Sequence, residues 1–478
     1  MAWDKGFEAA LYPKAIAIVG VSTKRRDWGA SGFVDCLKRL NFEGRIYLVN
    51  PRATEIQGLK AYPNLVSIPE HVDLVIVSVP APAVPAVLED CIAAGAKNVH
   101  IFTAGFEETG EPEGKELGEK VKEIARRGGL RIIGPNCMGL TVPGARISTL
   151  FEGLVESGPV AFITQSGTLA GNYNRYAEAF GFRFSKIFSF GNAYVLDSTD
   201  FLEYLAEDPE TKIICMYLEG VKDGKRLVTL VREINRTKPV ILWKGGLTDY
   251  GAKAVASHTG SLAGTYTVWD AFFKQTGAIR AGSLEELSDV TQGFLHIGRP
   301  PGRRVAVVGG GGGSSVATAD VCAQEGLEVP RLTPETRRQL REFIAPAGNS
   351  INNPLDTWVV LSDANLLQRA LKLVAADPLI DVVIVEYNPD MFIGLKQDQW
   401  EKLAQCMLDF KHESRLEKPM MVISRSWGDD LQVEAERRKS QKRLTEGGVA
   451  VYPTLARASH ALSKLVDYYE FQDGASSP

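Results

Sequence analysis

The chain is expected to fold as an α/β protein of parallel sheets, and three features of its sequence carry that expectation. Short, wholly apolar runs alternate with helix-length amphipathic stretches from end to end, the pattern of βαβ units whose strands are covered on both faces. Three of those runs, at 15–19, 160–163 and 305–308, pass directly into turns that contain glycine and lead into helical patterns. The length of 478 residues exceeds what a single core holds and implies about three domains of roughly 150 residues.

Composition narrows the class. Hydrophobic residues make up 45% and charged residues 23%, ordinary values for a globular protein. The net charge of −4 offers no global attraction to nucleic acid or to an anionic membrane, so neither is an expected partner. Residues 1–6 lack the basic and apolar regions of a signal peptide, and no apolar run approaches a membrane span. The six cysteines lie far apart with no Cys-x-x-Cys pair, which reads as reduced thiols in a cytoplasmic protein.

The first unit, placed at 1–140, has strand patterns at 15–20, 46–49, 74–79, 99–102 and 132–133 and reads as Rossmann-like. Its first loop departs from the dinucleotide fingerprint, because Gly20-x-Ser22-x-Lys24-Arg25-Arg26 stands in place of Gly-x-Gly-x-x-Gly. The second strand ends in Asn50-Pro51, where an NAD-binding domain places an acid for the ribose hydroxyls. An NAD-dependent oxidoreductase is therefore disfavoured. A basic triplet beside a strand end suits a ligand with several phosphates, or it is simply a solvated charged loop.

The second unit, 141–298, has strand patterns at 160–163, 185–190, 213–218 and 240–243. Its first strand runs into Gln165-Ser166-Gly167-Thr168, which opens a helix. Free amides and the positive end of the helix dipole make that start a candidate phosphate site, with hydroxyls from Ser166 and Thr168. After the fourth strand, Gly245-Gly246 and Gly251 suggest a flexible loop that delivers His258, set among small residues in Ser257-His258-Thr259-Gly260-Ser261-Leu262-Ala263-Gly264. No Cys, Asp or Glu stands near His258 at metal-ligand spacing, so no metal site is expected. Alone, such a histidine is more often a loop residue bonded to backbone than a functional one. Glu219, in Tyr217-Leu218-Glu219-Gly220 at a strand end, is placed to orient an imidazole, or it is a strand-end acid in solvent.

Beyond the linker at 298–303, the third unit, 299–478, repeats the arrangement. The strand at 305–308 leads into Gly309 to Gly313, then Ser314-Ser315 and a helix. Neither glycine turn contains the Gly-Lys-Ser/Thr of a P-loop. Further strands are expected at 382–385 and 420–423, with a last helix over roughly 455–469 and a frayed end at 472–478. One histidine between two anion-binding helix starts is what a phosphoryl carrier requires.

These residues resemble a known family. The stretch 257–264, followed by Trp269-Asp270-Ala271-Phe272-Phe273-Lys274-Gln275-Thr276-Gly277, is similar to the phosphohistidine segment of ADP-forming acyl-CoA synthetases, relatives of succinyl-CoA synthetase. The resemblance runs through nearly the whole chain in order. It takes in Gly134-Pro135-Asn136-Cys137-Met138-Gly139, Gln165 to Thr168, Tyr217 to Gly220, the glycine run at Gly309 and Asn353-Pro354-Leu355-Asp356.

The resemblance implies a Rossmann-like coenzyme A-binding domain followed by two flavodoxin-like, doubly wound parallel-sheet domains. It implies His258 as the phosphorylated residue, supported by Glu219, and CoA contacts at Gly20, Ser22, Lys24, Arg25, Asn50, Pro51, Pro80 and Asn136. Phosphate would be held at Gln165, Ser166, Gly167 and Thr168 and again at Gly312, Gly313 and Ser314. The reaction would join a small carboxylic acid to CoA through an acyl phosphate and a phosphohistidine. ATP or ADP and Mg²⁺ would be handled by an ATP-grasp module, for which no region of this chain remains. The chain would then be the alpha-type subunit of a hetero-oligomer with a beta-type partner. Two departures stand out. Gly309 to Gly313 replaces a run with asparagine and alanine, and Ala193-Tyr194-Val195-Leu196-Asp197 replaces a more polar stretch, pointing to a bulkier or more apolar acid if that loop borders the acyl pocket. The alternative is a CoA-binding or regulatory module without catalysis of its own.

Overall fold

The computed structural model describes residues 6–24, 29–150, 156–259, 264–309, 312–387, 399–413, 418–426, 428 and 430–476. The chain divides into two compact units, Met1–Ala177 with Phe182–Leu284, and Glu178–Gly181 with Glu285–Pro478.

The first unit holds two sheets. Strands β1 (Ala15–Val19), β2 (Arg45–Val49), β3 (Glu55–Ile56), β4 (Leu59–Tyr62), β5 (Leu74–Val77), β6 (Asn98–Ile101) and β7 (Arg131–Ile133) form the first, in the order β3-β4-β2-β1-β5-β6-β7. All pairings are parallel except β3 with β4. The chain leaves β1 for β2 on one side and returns to β5 on the other. This places a topological switch point, where open α/β sheets bind ligands, between the carboxyl ends of β1 and β5.

The second sheet is built from β8 (Gly139–Val142), β9 (Ile147–Ser148), β10 (Val160–Thr164), β11 (Phe184–Ser189), β12 (Ile213–Leu218), β13 (Val240–Lys244) and β14 (Ile279–Ala281). Its order is β14-β13-β12-β10-β11-β8-β9. Taken in chain order, the five parallel strands run 2-1-3-4-5, the flavodoxin arrangement, with its switch point between β10 and β12. The antiparallel pair β8–β9 extends the sheet beside β11. The two sheets share one core. Phe7, from the amino-terminal segment, lies 6.5 Å from Phe188 of β11, which stacks on Phe201 at 4.6 Å.

The second unit contains β15 (Val305–Val308), β16 (Val382–Tyr387), β17 (Met420–Ser424) and β18 (Ala450–Tyr452), all parallel and in that order. Single parallel bridges flank the other edge of β15, Arg304 with Glu328 and Val308 with Leu355. The sheet is thus doubly wound about β15, with a short irregular edge in place of a full strand. The last helix runs Leu455–Ser476, which corrects the expectation of a frayed end from 472. Arg299 pairs with Asp473, and Arg303 pairs with Asp467 and Glu470, so the last turns are held by charge. Among the described residues, no helix is long and apolar enough to cross a membrane.

Candidate active site

At the carboxyl edge of the first sheet, β1 is followed by Gly20 at φ +100°, where an added Cβ would lie 2.3 Å from the Ser78 carbonyl oxygen. Only glycine fits, because the turn passes directly against the backbone that follows β5. Ser22 Oγ accepts from the Lys24 amide at 3.1 Å, shaping the loop and leaving Lys24 exposed. Asn50 fixes the same loop from β2: its Nδ2 donates to the Val21 carbonyl at 2.8 Å, and its Oδ1 accepts from the amides of Arg52 and Ala53. Pro51 and Pro80 are exposed on this rim. Arg25 lies outside the described residues. Asn136, at φ +58°, donates its amide to Thr103 and turns the chain from β7 toward the second sheet.

That turn brings the two sheet edges together. The Met138 amide donates to Ser189 Oγ at 3.1 Å, and a Cβ on Gly167 would lie 2.7 Å from Met138 Cγ. The amide of Asn192 donates to the Pro135 carbonyl at 3.0 Å, and Asn192 Nδ2 donates to Glu108 at 2.6 Å. In the loop that departs from the family pattern, Tyr194 is buried, 5.9 Å from Phe106, and Asp197 caps the helix Ser198–Glu207. Val195 is the exposed apolar residue of that loop.

At the β10–β12 switch point, Ser166 Oγ accepts from the Leu169 amide at 3.3 Å, and Thr164 Oγ1 accepts from the Ser166 amide at 3.0 Å. These bonds set the first turn of the helix Gly167–Phe180, with Thr168 exposed at its start. Gln165 is buried, and its Oε1 accepts from the amides of Glu219 at 2.5 Å and Gly220 at 2.9 Å. A residue predicted to touch phosphate thus also ties the two strand ends together. Glu219 is buried and not a solvated strand-end acid; its Oε1 accepts from the Tyr217 hydroxyl at 3.2 Å. Burial and the Glu219 carboxylate together push the Tyr217 hydroxyl well above the usual tyrosine range.

A cleft of about 500 Å³ opens beside these residues, lined by Tyr217, Glu219, Lys244, Arg280, Ala254 and Val255 among others. The backbone around His258 corrects the sequence reading, since residues Asp249–Thr259 form a helix and not a loop. Ala252, Ala254 and Ala256 are strong helix formers and outweigh the cost of Gly251. Position 258 is in the last turn of that helix. The side chains at 256–259, and all of 260–263, lie outside the described residues.

Lys244 is the site residue that sequence reasoning missed. Its one signal is a lysine closing the apolar run of β13. In the second unit, Gly309 has φ +111°, and a Cβ there would approach the Glu386 carbonyl oxygen to 2.6 Å. Gly312, Gly313 and Ser314 begin the helix Gly312–Gln324. Their side-chain surroundings lie outside the described residues.

Comparison with known proteins matches all three regions. Residues 14–143 match the CoA binding domain, 157–294 the succinyl-CoA ligase like flavodoxin domain, and 305–476 the ligase-CoA domain. The chain is 39% identical over 455 residues to the acetate–CoA ligase [ADP-forming] II subunit alpha of Pyrococcus furiosus, covering 94% of this chain and 96% of that one. It is 38% identical over 386 residues to acetate–CoA ligase [ADP-forming] I of Archaeoglobus fulgidus, with 80% of this chain aligned to 55% of that longer protein. The chain therefore matches almost the whole of one relative and about half of the other. A solved structure of dinucleotide-forming acetyl-coenzyme A synthetase 1 from Ca. Korarchaeum cryptofilum, in complex with phosphate and ADP, superposes with a TM-score of 0.85 at 32% identity and covers 99% of both chains. The chain belongs to the ADP-forming acyl-CoA synthetases of the succinyl-CoA synthetase superfamily.

Proposed function

We propose that this chain is the alpha-type subunit of an ADP-forming acyl-CoA synthetase, with His258 as a covalent phosphoryl carrier. The observation that carries the reading is the junction at the β10–β12 switch point. There Gln165 joins the Glu219 backbone to the start of the helix Gly167–Phe180, beside the cleft bordered by the helix of His258.

In the energy-yielding direction, a phosphate oxygen attacks the thioester carbonyl and the carbon–sulfur bond breaks. CoA leaves as the thiol and an acyl phosphate remains. An imidazole nitrogen of His258 then attacks phosphorus, the bond to the acyl oxygen breaks, and the free carboxylate departs. Transfer of the phosphoryl group from the imidazole to ADP gives ATP and restores the histidine.

Each step makes a demand on this chain. CoA lies along the rim formed by Gly20, Ser22, Lys24, Arg25, Asn50, Pro51, Pro80 and Asn136. Its thiol end is directed toward Met138 and Gly167, where the two sheet edges meet. The amides of Gly167 and Thr168 and the hydroxyls of Ser166 and Thr168 hold the phosphate, supported by the positive end of the helix. Glu219 supports the positive charge that develops on the imidazole. Gly312, Gly313 and Ser314 form a second anion-binding helix start. Val195 favours an acid with an apolar portion.

Nucleotide and Mg²⁺ are supplied by a beta-type ATP-grasp partner. Among the described residues, no group of three His, Cys, Asp or Glu side chains could hold a metal ion. The test is acyl-CoA formation from ATP, CoA and a panel of carboxylic acids, with the purified chain alone and with a candidate partner. Turnover only in the mixture supports the reading. Turnover by the chain alone contradicts the partner, and CoA binding without turnover in any mixture favours a non-catalytic module.

A further inference from the structure

β13 is apolar and mostly buried up to its last residue, and Lys244, which closes it, is buried as well. A buried ammonium is costly unless it is compensated, so such a lysine needs partners. Its Nζ donates to the Glu219 carbonyl at 2.9 Å and to the Gly245 carbonyl, and it stands 5.2 Å from the centre of the Trp269 ring. These contacts leave the burial cost only partly offset. Desolvation pushes the ammonium down to about 8, against the opposing pull of the Glu219 carboxylate.

The fold does not require this charge to join the two strands. Leu218 and Lys244 are already in parallel register, and the Gly245 amide donates to the Leu218 carbonyl at 2.9 Å. What the ammonium adds is positive charge at the cleft, against the acid that the reaction uses.

We propose that Lys244 is a positioning residue for phosphoryl transfer at His258. Its ammonium holds the Glu219 segment at the cleft and supplies positive charge beside it. The inference rests on the phosphohistidine reading above. The other charged or titratable groups of the described cleft lining are Tyr217 of β12, Glu219 just after it and Arg280 from β14. Among the described side chains of the helix Asp249–Thr259, Gly251, Ala254 and Val255 line it. Tyr217 is shifted upward, away from the range in which Lys244 titrates.

Lys244→Gln keeps two N–H donors for the two carbonyls and removes the charge, whereas Lys244→Met removes both. The experiment follows the rate at which radiolabelled acetyl phosphate phosphorylates the chain across the pH range around 8, with near-ultraviolet circular dichroism as the check on folding. The wild-type rate falls as pH rises past about 8. Lys244→Gln is slower by about 10- to 100-fold, the scale of losing a group that orients a reacting one, and lacks that fall. A folded Lys244→Gln with the wild-type rate and profile overturns the role of Lys244 and leaves the phosphohistidine standing. A wild-type profile that is flat across the range overturns it whatever the variants do. No label on the wild-type chain at any pH overturns both readings.

Discussion

Gln165 and Glu219, 54 positions apart in sequence, are joined by a bond from the Glu219 amide to the Gln165 side-chain oxygen at 2.5 Å, and the same oxygen accepts from Gly220. Strand pairing of Thr164 with Tyr217 brings them together. The bond fixes a carboxylate and a helix start relative to each other before any ligand arrives. Preorganisation of this kind lets electrostatic support act without reorganisation during the reaction.

Gln165→Ala is expected to leave two buried amides without an acceptor, lowering stability by about 1–3 kcal/mol. Gln165→Glu keeps the acceptor and adds a negative charge beside the phosphate. It should melt near the wild-type temperature yet be phosphorylated more slowly. Thermal melts and labelling rates on both variants separate the two effects. Equal labelling by Gln165→Glu and wild type contradicts a phosphate site at this turn.

Gly20→Ala puts a methyl group against the Ser78 backbone at a positive φ. The strain is about 1–3 kcal/mol and falls on the loop that borders the proposed CoA rim. Calorimetry should show weaker CoA binding, while labelling from acetyl phosphate stays close to wild type because that step needs no CoA. Unchanged CoA affinity would move the CoA site away from this loop.

His460 bridges two acids, with Nδ1 2.8 Å from Glu325 and Nε2 2.8 Å from Glu286. The bonds to Glu286 and Glu325 hold its pKa above the usual 6.5 despite partial burial. A raised histidine stabilises the fold fully below its unfolded value, and that contribution is lost as pH rises through the folded value. The second unit should therefore lose stability as pH rises from about 6.5 upward, and His460→Gln should flatten the trend. Denaturation midpoints for both proteins across neutrality check this. An unchanged slope in His460→Gln assigns the trend to other groups.

The longer parallel strands were legible where they are buried on both faces and read as apolar runs, as in β10, β12 and β15, whereas the three-residue parallel strands β14 and β18 were not. The pairs β3–β4 and β8–β9 were not, since two to four residues carry no measurable alternation. Gly245, Gly246 and Gly251 suggested a loop around His258. Glycine is only about 1 kcal/mol worse than alanine inside a helix, and the alanines that follow Gly251 outweigh it. Glu219 was legible as a strand-end acid. The partnership of Gln165 with Glu219, and the burial of Lys244 beside Glu219, depend on the register among β10, β12 and β13, which no spacing along the chain encodes.

The central claim is covalent phosphate on His258. Wild-type chain and His258→Asn are incubated side by side with radiolabelled acetyl phosphate, and the label is tested for stability in acid and base. The account predicts acid-labile, base-stable label on the wild type, none on His258→Asn, and equal CoA affinity in the two, because the proposed CoA rim belongs to the first sheet. Equal labelling of His258→Asn and wild type would contradict it and remove His258 from the reaction.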